Sequence, residues 1–265
     1  YCLVPLLWVI FSSTKTSEGI FSSFGLWFDD KNVFWQNVQD TFAYQNGAYT
    51  RWLFNTIMYA AVAGVGATII ATFAGYAIAT MRFPGRNALL AVTLAFMSIP
   101  STVITVPLFL MYSKIGLVGT PWAVIIPQLA TPFGLYLMII YAQTSIPVSL
   151  IEAAKLDGAS TWTIFWKVGF PLLSPGFVTV LLFTLVGVWN NYFLPLIMLS
   201  DTNDYPLTVG LNMWLKMGAQ GTANGQVPNN LIITGSLIAV VPLIIAFMFL
   251  QKYWQSGLAA GSVKQ

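Results

Sequence analysis

Residues able to do acid–base, nucleophilic or metal chemistry are few in this chain, and they do not converge. Its 265 residues include 8 acidic side chains, one cysteine (Cys2) and no histidine. A His-based metal site or a His general base is therefore excluded, and one cysteine cannot close an intrachain disulfide. Close acidic pairs such as Asp29 with Asp30 and Glu152 with Asp157 fall in polar connections rather than in a shaped apolar pocket, which argues against a membrane-embedded enzyme. No Gly-x-x-x-x-Gly-Lys-Ser/Thr phosphate loop occurs, so the chain is not expected to hydrolyse ATP. With no run of lysine or arginine and a net charge of +3, nothing suggests nucleic-acid binding.

One segment is dense in local signals. Residues 147–175 read Pro-Val-Ser-Leu-Ile-Glu-Ala-Ala-Lys-Leu-Asp-Gly-Ala-Ser-Thr-Trp-Thr-Ile-Phe-Trp-Lys-Val-Gly-Phe-Pro-Leu-Leu-Ser-Pro. The pattern predicts a short helix with Pro147 at its first position. Ser149 and Glu152 are spaced to form a capping box. Leu150, Ala153, Ala154 and Leu156 would share a small apolar face, and Gly158 would stop the helix at a positive φ. Trp162, Phe165 and Trp166 suit a membrane surface, with Pro171 and Pro175 marking return to the bilayer. A short projecting helix of this kind suits a groove on a partner. It equally suits an amphipathic helix lying on the membrane.

The elements around it must be read in lipid. Hydrophobic residues make up 57% of the chain and charged residues 7%, against about 25% charged in soluble domains. Long apolar runs near 52–80, 88–112, 122–143, 173–199 and 230–253 are each long enough to span, and 1–11 reads as the end of a first helix trimmed at its start. Spans in hydrocarbon satisfy their own backbone, and these runs lack barrel alternation, so the expected class is an all-α integral membrane protein with six transmembrane helices. The whole chain, 1–265, reads as one membrane domain, with 144–172 on one side and 12–50 and 200–229 on the other. Pro100 and Pro107 are expected to kink the third span. Threading six helices with the start inside places Arg82, Arg86, Lys155, Lys167, Lys252 and Lys264 inside, against Lys15, Lys31, Arg51, Lys114 and Lys216 outside. Six against five scarcely uses the positive-inside rule, so charge leaves the orientation open.

Glu152-Ala153-Ala154, then Gly158, then Ile164 and Phe170-Pro171, resembles the EAA loop of bacterial ABC importer permeases. Asp157-Gly158-Ala159 resembles the carbohydrate-uptake branch, and Phe170 departs from the usual Leu. Arg51-Trp52-Leu53-Phe54-Asn55-Thr56, Gly75-Tyr76-Ala77 with Arg82-Phe83-Pro84-Gly85-Arg86, Trp189-Asn190 with Pro195, and Gly257 with Gly261-Ser262-Val263-Lys264 resemble further segments of that branch, although Ser262 and Gln265 match loosely. The resemblance covers nearly the whole chain and is to the MalG-like subunits of maltose and oligosaccharide importers.

That resemblance implies a type I importer fold, with the EAA loop as a cytoplasmic coupling helix. It implies a second, MalF-like permease subunit, two ATP-binding subunits that hold ATP and Mg, and an extracellular binding protein that delivers a sugar. The chain itself would bind no cofactor and no metal, and would lie in the cell membrane with coupling loop and C-terminus cytoplasmic. Glu152, Ala153, Ala154, Asp157, Gly158 and Ala159 would carry the coupling contact. For the substrate path, Trp189, Asn190, Asn191 and Tyr192 place amides and rings inside an apolar span, where they suit sugar hydroxyls and CH faces. The plainer reading of the same residues is interhelical hydrogen bonding. Gly218, Gln220, Gly221, Asn224 and Gly225 lie in a Gly- and Asn-rich stretch that would meet the binding protein or serve as a surface loop. A permease for a non-sugar solute shares the EAA loop. An ion-coupled secondary transporter would need an acidic residue within a span, and the five full spans have none in their middles.

Overall fold

The computed structural model describes residues 3–220 and 227–262, and their side chains over 3–219 and 227–251. The described residues are helical or irregular, with no strand. Helices α1 (Val4–Ser13), α2 (Gly19–Ser22) and α3 (Phe34–Tyr59) come first, and a π-helical turn at Ala60–Gly64 leads into α4 (Val65–Thr80). Then follow α5 (Arg86–Met97), α6 (Ser101–Lys114), α7 (Trp122–Gln128), α8 (Pro132–Ser145), α9 (Val148–Leu156) and α10 (Thr161–Ile164). A second π turn, Phe165–Gly169, opens α11 (Phe170–Trp189), followed by α12 (Phe193–Met198), α13 (Leu207–Gln220) and α14 (Asn229–Ser262).

Among the described residues, four stretches are long and apolar enough to cross a membrane: Phe34–Thr80, Trp122–Ser145, Thr161–Trp189 and Asn229–Gln251. The pair α5 and α6 makes a fifth if taken as one span, and ten-residue α1 is the remaining apolar segment. These overlap the runs read from the sequence but differ in their bounds. The third run is not one kinked helix but two helices bent by 104° across Ser98–Pro100. Pro100 removes a donor and holds the preceding residue away from helical geometry, so the chain stops there; Pro107 sits inside α6. The fifth helix begins at Thr161 and ends at Trp189, earlier at both ends than the expected 173–199. The 200–229 segment is also not an open loop, since α13 occupies much of it and buries Leu207, Val209 and Trp214.

The chain forms two compact units. In the first, residues 1–58 and 191–245, Trp214 is fully buried, with Tyr44, Tyr49 and Trp52 around it at ring-centroid distances of 5.4, 6.2 and 5.0 Å. Its Nε1 donates to Gln45 Oε1 at 3.0 Å. Gln45, Asn46 and Gly47 have positive φ and interrupt α3 there, so the apolar run begins on their far side, near the expected residue 52. Trp52 Nε1 donates to Thr202 O, and Asn55 Nδ2 to Asn203 O and Tyr205 O, which ties the 201–206 turn to α3. Lys15 is fully buried, and its ammonium donates to Ser23 Oγ and Phe24 O at 2.8 and 2.7 Å.

The second unit, residues 59–190 and 246–265, is built on α4 against α8. Small residues permit the approach: a Cβ on Gly75 would stand 2.6 Å from the Met138 Cβ and 3.0 Å from the Met138 backbone carbon. Ala71, Tyr76, Met138, Ala142, Ile151 and Leu173 lie in one core cluster. At the first π turn, Thr68 Oγ1 and Thr184 Oγ1 both donate to Gly64 O and lie 2.9 Å apart. Hydroxyls thus cover a carbonyl that the turn leaves exposed within an apolar span.

Candidate functional site

Helix α9 is held by its own ends and by one buried stripe. Its C-terminus closes in a Schellman arrangement: Gly158 N–H donates to Lys155 O and Ala159 N–H to Ala154 O, both at 3.0 Å. Gly158 sits at φ +79°, the left-handed position the sequence demanded of a glycine. Ser160 then caps α10, accepting from Thr163 N–H at 3.2 Å. The amino end differs from the capping box. Pro147 is itself the N-cap, with extended ψ and no side-chain bond, and the helix begins at Val148. Ser149 is therefore already inside the first turn, where its hydroxyl is not placed to cap.

The expected small face is divided. Ile151 and half-buried Ala154 turn inward onto the α4–α8 core, whereas Glu152, Ala153, Leu156 and Asp157 face outward. Leu156 is 89% exposed, an apolar side chain presented to the surroundings. Gly158 is exposed and Ala159 half-buried, which places all six residues expected to carry the coupling contact on or next to α9. Beyond them, Phe73 stacks on Trp162 at 5.8 Å and on Phe165 at 4.7 Å, with Trp166 edge-on.

Residues 189–192 are engaged in ending helices. Trp189 is buried, and Asn190 folds back so that Nδ2 donates to Val186 O at 3.0 Å. Asn191 Oδ1 accepts from Leu194 N–H, and its carbonyl accepts from Thr208 Oγ1 at 2.8 Å. Tyr192 OH donates to Asn212 Oδ1 at 2.9 Å. Gly218 lies within α13, where an added Cβ would meet Val227 O at 3.1 Å, and Gln220 ends that helix. Gly221, Asn224 and Gly225 lie outside the described residues. Nearby Asp204, between α12 and α13, is held above the usual carboxylate range by burial and then by the charge of Asp201.

A polar break went unread in the sequence. The fourth span parts between α7 and α8, where Thr131 caps α8 by accepting from Gly134 N–H at 3.2 Å. Gln128, Thr131, Phe133, Phe183 and Thr184 line a cavity of about 240 Å³ there, with Phe133 and Phe183 edge-to-face at 5.6 Å. Broken helices within apolar spans are where transporters expose polar groups. Pro132, fixing the first turn of α8 just after Thr131, was the available signal.

The family model for binding-protein-dependent transport system inner membrane components matches residues 67–259. The arabinooligosaccharides transport system permease protein AraQ of Halalkalibacterium halodurans is 31% identical over 98% of this chain and 90% of its own length. The diacetylchitobiose uptake system permease protein NgcG of Streptomyces coelicolor is 28% identical over 99% of this chain and 83% of its own. In fold, a bacterial ABC transporter involved in the import of the acidic polysaccharide alginate superposes with a TM-score of 0.82, covering 96% of this chain and 91% of that one at 23% identity.

Proposed function

The chain belongs to the binding-protein-dependent transport system inner membrane components, and from that premise we propose that it is the permease subunit through which an ATP-driven importer moves a sugar or oligosaccharide into the cell. The observation that carries the coupling half of this reading is α9: a short helix, closed by Gly158, that grips its own unit through Ile151 and Ala154 and presents Glu152, Ala153, Leu156 and Asp157 outward. A partner groove takes such a face through apolar fit and a charged edge. Movement of the partner during ATP binding is passed to α9, and through the packed α4–α8 core to the spans. A rigid contact is required because force is transmitted only while docking holds in both states.

In this reading ATP and Mg reside on two partner subunits, a second permease subunit completes the pathway, and a binding protein outside the cell supplies the sugar. The 144–172 loop and the C-terminus face the cytoplasm. The sugar path runs past polar groups in broken spans. Trp189–Tyr192 mark one break; Gln128 and Thr131, beside the Phe133 ring, mark another and offer hydroxyl partners and a stacking face. The test is reconstitution of the chain with its co-purifying partners in liposomes, followed by uptake of labelled oligosaccharides with the binding protein supplied outside and ATP inside. Accumulation that needs both supports the reading. Uptake that ignores ATP but follows an ion gradient overturns it in favour of secondary transport.

A further inference from the structure

One side of α9, running from Val148 and Ile151 to the exposed Glu152 and Lys155, borders a second feature. A cleft of about 740 Å³ opens between the end of α4, the 82–86 turn and α9. Its walls combine Tyr76, Ala79 and Ala142 from α4 and α8, and Ile146 just past α8, with the polar Thr80, Gln143 and Thr161. Its rim carries Arg82, Arg86 and Lys155 against one carboxylate, Glu152. Among the described residues none of these four forms an ion pair or side-chain hydrogen bond within the chain. An adjoining depression of about 370 Å³ shares both arginines and reaches the start of α5. Gly85 caps α5 at φ +88° without a side-chain acceptor, so first-turn N–H groups of the 12-residue helix add positive potential beside the arginines. At the same end of the unit, Trp162 and Trp166 are 62% and 44% exposed, as rings are at a membrane–water boundary.

We propose that this cleft holds an anionic membrane lipid, its phosphate headgroup on Arg82, Arg86 and Lys155 and its upper acyl chain along the side formed by Tyr76, Ala79 and Ile146. An acidic segment of a soluble partner would satisfy the rim alone. A phospholipid matches the basic rim together with the helix ends and exposed tryptophans beside it, and basic pockets beside membrane helices take such headgroups. The lipid would then bridge the end of α4 and the Glu152–Lys155 side of α9. The inference rests on the chain lying in a membrane and on nothing about its cargo.

The test is native mass spectrometry of the assembled complex released from nanodiscs of equal parts phosphatidylethanolamine and phosphatidylglycerol. Wild type should carry phosphatidylglycerol, and Arg82→Gln/Arg86→Gln should retain at least about tenfold less. Arg82→Lys/Arg86→Lys should keep the lipid, as should the charge-matched control Lys114→Gln/Lys167→Gln. Equal retention by the Gln pair, or equal retention of phosphatidylethanolamine by wild type, overturns the proposal. So does displacement of the lipid by inorganic phosphate, which would make a free anion the occupant. Loss of the ATP-binding subunit from the Gln pair with an unchanged lipid count would assign the cleft to a protein contact and overturn it too. The lipid count is read on the chain whether or not partners accompany it, so failure of the transport reading shows separately, as a missing ATP-binding subunit in wild type.

Discussion

At the scale of single residues, Gly158 makes the sharpest prediction. Among the described residues nothing lies within 4 Å of a Cβ added there, so backbone conformation is what counts. Gly158→Asn, which tolerates the left-handed region, should leave helix closure and uptake near wild type. Gly158→Ala should cost about 1 kcal/mol locally. Gly158→Pro cannot hold φ +79° and loses the N–H that bonds Lys155 O, so it should cut coupled uptake by an order of magnitude or more while the chain still folds. Uptake against ATPase rate in liposomes separates these variants, and normal uptake by Gly158→Pro would refute the coupling role. Asp204 gives a pH-dependent case. Burial and Asp201 raise its folded pKa, so the stability it contributes is present at acid pH and lost as pH rises through that value. Asp204→Asn should therefore raise the melting temperature at neutral pH, and the difference should close as pH falls below the ordinary carboxylate range. Gly158 was legible in the sequence because only one residue type fits its conformation. The capping box was not, because Ser149 and Glu152 have the right spacing whether or not the helix starts one residue before them. Where it starts is decided by Pro147.

At the scale of elements, helices that touch through glycine tolerate no side chain. A Cβ on Gly210 of α13 would fall 2.2 Å from the Trp52 ring, which is itself fixed by Trp214 and by the bond to Thr202 O. Gly210→Ala should destabilise by roughly 1–3 kcal/mol as an overpacked contact. Gly75→Val should do at least as much, since the obstacle there is the α8 backbone and Met138 Cβ rather than a movable side-chain tip. Thermal unfolding in detergent, followed by tryptophan fluorescence for the first and by circular dichroism for both, measures this; an unchanged midpoint for Gly75→Val would contradict the α4–α8 packing. Span positions were readable because twenty apolar residues in a row admit little but a membrane helix. The breaks at Ser98–Pro100, Leu129–Thr131 and Asn190–Tyr192 were not, apart from the prolines beside two of them. A break in lipid changes which groups satisfy the backbone, and leaves composition almost untouched. Helix α13 was hidden for another reason: its amphipathic stretch lies beside a Gly- and Asn-rich one, and the average of the two resembles a loop.

At the scale of the whole molecule, the unresolved quantity in the sequence is sidedness. Six cations against five give almost no electrostatic preference for one insertion over the other. The proposed function fixes it differently, since α9 must meet subunits that use cytoplasmic ATP. The prediction is direct because the chain has one native thiol. In a Cys2→Ser background, Asp157→Cys lies on the exposed end of α9 and Asp201→Cys on the exposed turn after α12. A membrane-impermeant maleimide should label Asp201→Cys in intact cells and leave Asp157→Cys untouched until the membrane is opened. Co-expression with the ATP-binding subunit should then shield Asp157→Cys even in opened membranes, because the docked groove covers the outward face of α9. Leu156 explains why shielding is expected rather than mere proximity. A leucine 89% exposed on a nine-residue helix gains about 25 cal/mol for each Å² removed from water, and the described residues leave it uncovered. Reversed labelling would place α9 outside and sever it from any ATP-driven partner. Correct sidedness without shielding would keep the topology, and would return α9 to the alternative the sequence left open, a helix lying on the membrane surface.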